Sequence, residues 1–559
     1  MRVSDPIETE DATGHTSPQT LAAHDTHLNK DIEASEESKT AVALPSNQPR
    51  TLAPWLAYSL FILCTLSFLI PLSRTLFIRS DEGVFLSGAA RIIHGQIFAR
   101  DFFEIMGPGS FYWMAAFFKI FGTTFLAARI GIFLPLLGTS VTLYALARQV
   151  CTRYRAIPCL LLAGPYFGLI GQVEGHHVDS NFFALLAIAL LAFWNHQRRN
   201  GLLVAVGALS ATTAWTLQPK GVLLFGAILV WFLLQRKRLG TPFRFMALTA
   251  TGFFGVVGLV LAYFWSAGAL NSLIYANYIF PSQTYGKSNA VPYAQGLHEI
   301  WSFFVTQPEG LHWPAVVAAV MILPSVFIAT LPILVLALGV FYKWPKVRPE
   351  IVLYWLCGWA IWISEFHRRD LHHLAYGSPL LIVLCVHMLA EYRIRLLQTA
   401  VWATAFCAAS LAAFNALVAA EIPKTMTRAG LVAVFGDGSV PVLNYLNEHL
   451  QPAEDIFVYP CSSVYYFLSA STNPTPYSCF FYGQNTPEQF HNAIRILERR
   501  QVKYVIWDTV LLSSLAKNGL MPGSLPSNPD EMIFEPYLLS HFTPVMNENG
   551  ILILERKEK

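Results

Sequence analysis

The chain has 559 residues, of which 54% are hydrophobic and only 13% charged. Those proportions exclude a soluble globular protein and describe a polytopic α-helical membrane protein. A formal net charge of +3 over this length offers no basis for nucleic-acid binding, so the placement of charges carries more than their sum.

Residues 1–50 are polar, rich in Ser, Thr, Asp and Glu, and lack the apolar core that a cleaved signal peptide requires; they read as a disordered tail. The first apolar run, Pro54 to Leu72, is long enough to cross a hydrocarbon core of roughly 30 Å and would act as an uncleaved signal anchor. Then comes a first outer loop, residues 74–124. Its centre, Arg79 to Tyr112, reads RSDEGVFLSGAARIIHGQIFARDFFEIMGPGSFY and carries the carboxylates Asp81, Glu82, Asp101 and Glu104. Between the acidic pairs, Val84, Phe85, Ala89, Ile92 and Ile93 recur at helical spacing, which predicts a short helix lying flat on the bilayer surface. Phe111 to Phe121, interrupted by Lys119, predicts a second interfacial helix.

Further apolar runs follow at about 125–148, 156–171, 180–195, 201–216, 221–235, 245–265, 315–341, 350–364, 374–390 and 398–419, which with the first make about eleven spans. Alternate loops are basic. Arg148, Arg153 and Arg155, then Arg198 and Arg199, then Arg236, Lys237, Arg238 and Arg244, then Lys343, Lys346 and Arg348, then Arg393 and Arg395 fall on the side of the N-terminal tail, which the charge bias of membrane proteins places in the cytoplasm.

The opposite loops carry chemistry. They are the acidic stretch already quoted, then Gln172 to Ser180 (QVEGHHVDS), Thr216 to Gly221 (TLQPKG), Asn277 to Tyr293, and Ser364 to Leu374 (SEFHRRDLHHL). Five polar stretches on one face, with plain basic loops opposite, predict one site assembled at the outer membrane surface.

The arrangement resembles the GT-C glycosyltransferases that use polyprenyl-phosphate sugars, including protein mannosyltransferases and aminoarabinose transferase, with the bacterial RgtA/B/C/D-like enzymes as the nearest subgroup. The resemblance rests on Asp81–Glu82, on Arg100 to Gly122 (RDFFEIMGPGSFYWMAAFFKIFG), on the FLAARIG that opens the following span, and on Asp179. It covers most of residues 54–420 in layout. Many relatives carry two prolines where this chain has Gly107 and Pro108, and a Lys or His where it has Met106, so a basic contact to donor phosphate at that point is absent here. The resemblance implies an integral-membrane enzyme of the bacterial inner membrane that moves a sugar from a polyprenyl-phosphate donor to a hydroxyl of a glycan, lipid or protein acceptor at the extracytoplasmic face.

Such a reaction needs a base and an anion clamp. By match to the first-loop acid of the family Asp81 is the expected base, with Glu82 as helper; Glu82 could equally be a helix N-terminal residue favoured by the dipole. Asp179 matches the second-loop acid. Lys220, Arg368 and Arg369 are the candidates for the leaving phosphate, with snorkelling toward headgroups the competing role for Lys220. Asp101, Glu104, His176, His177, Tyr285, Asp370 and His373 complete the expected substrate-binding set. Glu174, His176, His177 and Asp179 form a compact polar group without zinc spacing; no metal set is assigned, and Glu82, His176 and Asp179 are the residues that could hold a divalent cation.

After about residue 425 hydropathy falls and a small α/β domain, 425–559, is expected on the extracytoplasmic side. Asp455 to Tyr459 and Lys503 to Trp507 read as strands, Thr486–Pro487–Glu488–Gln489 as a capping box opening a helix to about Arg500, and Asn549–Gly550 as a hairpin turn. Cys461 and Cys479 both fall in this domain and could pair in an oxidising compartment, while the other six cysteines lie in or beside spans as small apolar fillers. A secondary transporter is the alternative class, but the middles of the spans are nearly free of charge and no inverted repeat is visible.

Overall fold

The computed structural model describes residues 54–151, 154–167, 175–288, 290–305, 313–344, 347–435, 438–521, 523–526 and 528–558. The expected N-terminal tail lies outside the described residues. Each apolar run folds as helix. In chain order, with two helices of the first loop included, these are α1 (Pro54–Leu72), α2 (Glu82–Ile93), α3 (Pro108–Phe121), α4 (Phe125–Val150), α5 (Ile157–Phe167), α6 (Gly175–Gln197) and α7 (Gly201–Thr216). They continue with α8 (Gln218–Leu234), α9 (Pro242–Ser266), α10 (Trp313–Val340), α11 (Pro349–Ser364), α12 (Leu371–Gly377), α13 (Pro379–Tyr392) and α14 (Arg395–Glu421).

Among the described residues six helices, in α1, α4, α6, α9, α10 and α14, are long and apolar enough to cross a membrane, and the bent pair α12–α13, turned by 69°, would make a seventh. The apolar helices α7, α8 and α11 are shorter than a full span. The chain is thus a multi-pass membrane protein, and among the described residues six or seven helices reach full span length, where about eleven spans are expected. Proline opens several helices where its missing N–H costs nothing, at Pro108, Pro242, Pro349 and Pro379. Small residues let backbones meet: a Cβ on Gly207 of α7 would lie 1.8 Å from the Thr249 carbonyl oxygen of α9, and one on Gly252 of α9 1.9 Å from that of Val204.

The first polar segment departs from its expected place. Its helix α2 does form, but Glu82 through Ala89 are all buried in protein. A Cβ on Gly83 would lie 2.4 Å from the backbone nitrogen of Val464, and one on Gly88 2.5 Å from the Phe111 ring. The apolar face read as a bilayer anchor is covered by the short helix Val464–Ser469 and by α3.

Two sheets follow. In the first, β1 (Thr75–Phe77) pairs in parallel with β3 (Gly430–Phe435), which pairs antiparallel with β2 (Lys424–Thr427). A three-residue strand from the first loop therefore belongs to a sheet made otherwise of residues 424–435, so the expected boundary near 425 is stitched across. In the second, the order is β4 (Ile456–Tyr459), β5 (Tyr504–Asp508), β7 (Ile551–Arg556), β6 (Phe542–Glu548), with β4 and β5 parallel and the others antiparallel. The hairpin β6–β7 turns at Asn549 and Gly550, both at positive φ. The helix α15 (Pro487–Arg500) begins with the full capping box of Thr486 and Gln489. Cys461 and Cys479 are joined by a disulfide. Arg79 of the first loop grips Asp508 at the end of β5 with two bonds of 2.6 and 3.0 Å.

Candidate functional site

The five polar stretches meet. Gly107 and Gly109 press against the backbone of Trp215, where a Cβ would lie 2.4 and 2.8 Å from its carbonyl oxygen, so the first stretch lies along the third. Asn277 of the fourth donates to the carbonyls of Glu104 and Met106, both at 3.0 Å. Ala294, just beyond the fourth, donates to the Arg369 carbonyl at 2.7 Å. His177 of the second and Lys220 of the third both reach Glu365 of the fifth.

Two charged networks result. In the first, Asp370 caps α12 by accepting from the His373 backbone N–H at 3.0 Å and from its ring Nδ1 at 2.8 Å, while Arg368 Nε donates to its other oxygen at 2.6 Å. Burial alone would raise the Asp370 carboxyl, but the His373 bond and the His373 and Arg368 charges outweigh it and hold it well below the usual carboxylate range. Arg368 also donates to the Leu520 carbonyl at 2.8 Å.

In the second, Glu365 is wholly buried and takes Lys220 Nζ at 2.6 Å and His177 Nδ1 at 3.0 to 3.1 Å. Burial pushes this carboxyl up; His177 and Lys220 together hold it well below its ordinary range. Lys220 spends its remaining protons on Ser180 Oγ at 2.9 Å and Asn181 Oδ1 at 2.7 Å. His177 stacks on Tyr376 and meets His373 edge-on at 4.7 Å between centroids, which joins the two networks.

Asp81 stands apart from both. It is solvent-exposed, makes no side-chain hydrogen bond or ion pair among the described residues, and yet is surrounded by protein. Desolvation raises its carboxyl, and the charges of Arg368 and His373 pull it back only in part. Glu104, its acidic neighbour, is buried, accepts a hydrogen bond from Ser478 Oγ, and is pushed up to about 8 by burial, against the pull of Ser478 and Arg91 and with the Asp81 charge adding to the rise. A partnerless carboxylate under the charges of Arg368 and His373 can take a proton and tolerate an incoming anion.

Several expected site residues have other employment. Glu82 is buried in an ion pair with Arg129, whose guanidinium also donates to the Thr75 carbonyl, so the pair pins α2 and β1 to α4. Asp179 accepts from Ser110 Oγ at 2.7 Å, tying α6 to α3. Lys220 is fully buried with every proton engaged, so neither the snorkelling nor the phosphate role expected of it fits this arrangement. Asp101 closes a turn by accepting from the Ile97 N–H at 2.7 Å and pairs with Arg100, whose hydrogen bond holds its carboxyl below the usual value. Asp370 positions Arg368 and His373. His176 packs between Phe85 and His177, with Nδ1 unpartnered among the described residues. The side chain of Tyr285, and all of Glu174, lie outside the described residues. Arg369 has its guanidinium over the Phe366 ring, 5.7 Å from its centroid.

Glu82, His176 and Asp179 do not gather as a cation site. Among the described residues the group that does is His177, Glu365 and His373, with ligand atoms within 4.8 Å of one another. Its carboxylate already holds the Lys220 ammonium, a resident cation that would repel a divalent ion, so the donor set fits an ion-pair network better than a metal.

The sequence matches no protein-family model and no curated protein. The fold has solved counterparts. Over 90% of this chain and 98% of the other, it superposes on the crystal structure of ArnT from Cupriavidus metallidurans bound to undecaprenyl phosphate, with a TM-score of 0.54 at 13% identity. The chain has the ArnT fold. The archaeal oligosaccharyltransferase AglB from Archaeoglobus fulgidus, solved with an inhibitory peptide and a dolichol-phosphate, aligns over 91% of this chain and 75% of its own, with a TM-score of 0.46 at 12% identity.

Sequence reasoning missed the centre of the second network. Glu365 sits among louder residues, and its partner His177 is 188 positions away. Arg129 lies within FLAARIG, and its apolar neighbours Ala128 and Ile130 give no sign that its partner is Glu82.

Proposed function

We infer that this protein is a membrane glycosyltransferase that moves a sugar from a polyprenyl-phosphate donor to an acceptor hydroxyl, with Asp81 as base. The observation that carries the reading is the partnerless, exposed yet enclosed Asp81 carboxylate, under the field of Arg368 and His373, in a chain with the ArnT fold. The solved ArnT holds undecaprenyl phosphate, a lipid-borne anion, and the cations here suit such an anion.

Asp81 takes the proton of the acceptor hydroxyl as its oxygen bonds to the anomeric carbon. The bond from that carbon to the phosphate oxygen breaks, and the lipid phosphate leaves with the electron pair. Arg369, which makes no ion pair among the described residues, and Arg368, held by Asp370, face the growing phosphate charge. Glu104 is protonated at neutral pH and so adds no second negative charge beside Asp81. The networks around Asp370 and Glu365 hold Arg368, His373 and His177 in place. By the bias of the basic loops, this end of the bundle is extracytoplasmic and the N-terminus cytoplasmic.

The test is transfer of radiolabelled sugar from polyprenyl phosphates to envelope acceptors by the purified protein. Asp81→Asn should cut transfer by about 10²–10⁴-fold, the usual contribution of a general base. Undiminished transfer by that variant would remove Asp81 from the chemistry.

A further inference from the structure

We propose that a groove between the first polar segment and α15 binds a saccharide chain, making the acceptor hydroxyl that of a glycan. This rests on the glycosyl-transfer reading for the word acceptor, though not for the binding itself. A cavity of about 430 Å³ opens between Ala99–Phe103, Tyr275, Tyr477 and the outward face of α15. That size lies within the roughly 300–1,000 Å³ typical of small-molecule sites.

The lining has the chemistry of a sugar, which offers flat C–H faces and pairs of in-plane hydroxyls. Phe103 lies between the rings of Tyr275 and Tyr477, at centroid distances of 6.4 and 6.1 Å, and Tyr275 is 44% exposed. Facing them on α15 are a carboxylate, an amide and a guanidinium, from Glu488, Asn492 and Arg495. Their spacing of i, i+4, i+7 aligns them in one stripe while Phe490, Ala493 and Leu497 are buried behind. Planar groups of these three kinds can each engage two neighbouring hydroxyls. Glu488 makes no hydrogen bond or ion pair among the described residues, and Arg495 makes only a 3.5 Å bond to Asn492. Asn492 in turn donates to Tyr477 Oη at 3.3 Å, which orients both for a ligand.

An extended peptide fits less well. It would need a free backbone edge, and the Phe103 N–H already donates to the Pro476 carbonyl at 2.7 Å. A second recess adjoins the groove. Phe103 and Tyr477 line this recess, shared with Glu104 and Ser478, and Glu104 feels the charge of Asp81. A chain lying over α15 would thus point one end toward the proposed base.

The experiment is saturation-transfer NMR on the full chain in detergent micelles, with soluble hexasaccharides of mannose, glucose, N-acetylglucosamine and galacturonic acid as probes. At least one should bind wild type and Asp81→Asn alike. Its Kd should rise at least tenfold in Asn492→Ala and in Arg495→Ala, surface changes whose thermal melting should match wild type. Binding by no probe, or equal binding by wild type and both variants, overturns the proposal. Sugar transfer is assayed in parallel to separate the two ideas. Groove-dependent binding without any transfer would overturn the proposed reaction and uphold the groove, whereas Asp81-dependent transfer without probe binding would do the reverse.

Discussion

Asp81 and Glu104 are neighbouring acids given opposite tasks by their surroundings. As the proposed base, Asp81 must be ionised to act, and burial raises its carboxyl above the ordinary value of about 3.9. Transfer should therefore fall with acid along a limb centred above that value, in a rate profile measured with saturating donor. Glu104 is protonated in the fold up to about pH 8 but ionises near 4.3 in the unfolded chain. The native state thus binds the extra proton, and stability from this group is full below the unfolded value and lost as pH rises through about 8. Glu104→Gln should melt at the wild-type temperature near pH 4 and above it at pH 9, by differential scanning fluorimetry. An unchanged difference across that range would show that Glu104 titrates alike in the folded and unfolded chain. Asp81 stands out in the sequence because an acid in a polar loop between apolar runs is conspicuous. The fate of Glu82 was not, since nothing local distinguishes an acid bound for Arg129 from one left free.

The buried trio of Glu365, Lys220 and His177 ties α6, α8 and the end of α11 together. Removing one partner leaves a charge without compensation in a dry site, a loss of about 3–5 kcal/mol, whereas replacing the pair by apolar groups is often neutral. Glu365→Gln should accordingly lower thermal stability far more than the double change Glu365→Leu with Lys220→Met; equal losses would mean that the ion pair is not the link. The α7–α9 crossing depends on bare backbone at Gly207 and Gly252, and Gly252→Val should force these helices apart, with a loss of folded protein in size-exclusion chromatography. Helices were readable from apolar runs because burial in lipid or protein demands the same residues. That ambiguity is also why the helical face of α2 was assigned to the bilayer: periodicity reports an apolar face, and here Val464 and Phe111 cover it. In the C-terminal region the strands, the α15 capping box and the Asn549–Gly550 hairpin carry local signals, and there expectation and structure agree to within a few residues. The three-residue β1 carries none, and its pairing with β3 spans most of the chain.

Taken whole, the molecule brings acids, cations and aromatic rings from five separated stretches to one end of a helical bundle, and ties the C-terminal sheets over them. The ties are β1 in the first sheet, Arg79 on Asp508, Arg91 on the Thr475 carbonyl, and Arg368 on the Leu520 carbonyl. That gathering was legible from the alternation of polar and basic loops, while the pairings within it depend on contacts between distant segments that no local pattern reports. The central claim is that Asp81 does the proton transfer and that the arginines hold the leaving phosphate. Single-turnover transfer from a radiolabelled polyprenyl-phosphate sugar, with donor concentration varied, separates these roles. Asp81→Asn should slow the bond-making step by at least a hundredfold at unchanged donor affinity, and Arg369→Ala should weaken donor affinity about tenfold or more. A wild-type single-turnover rate in Asp81→Asn would contradict the account.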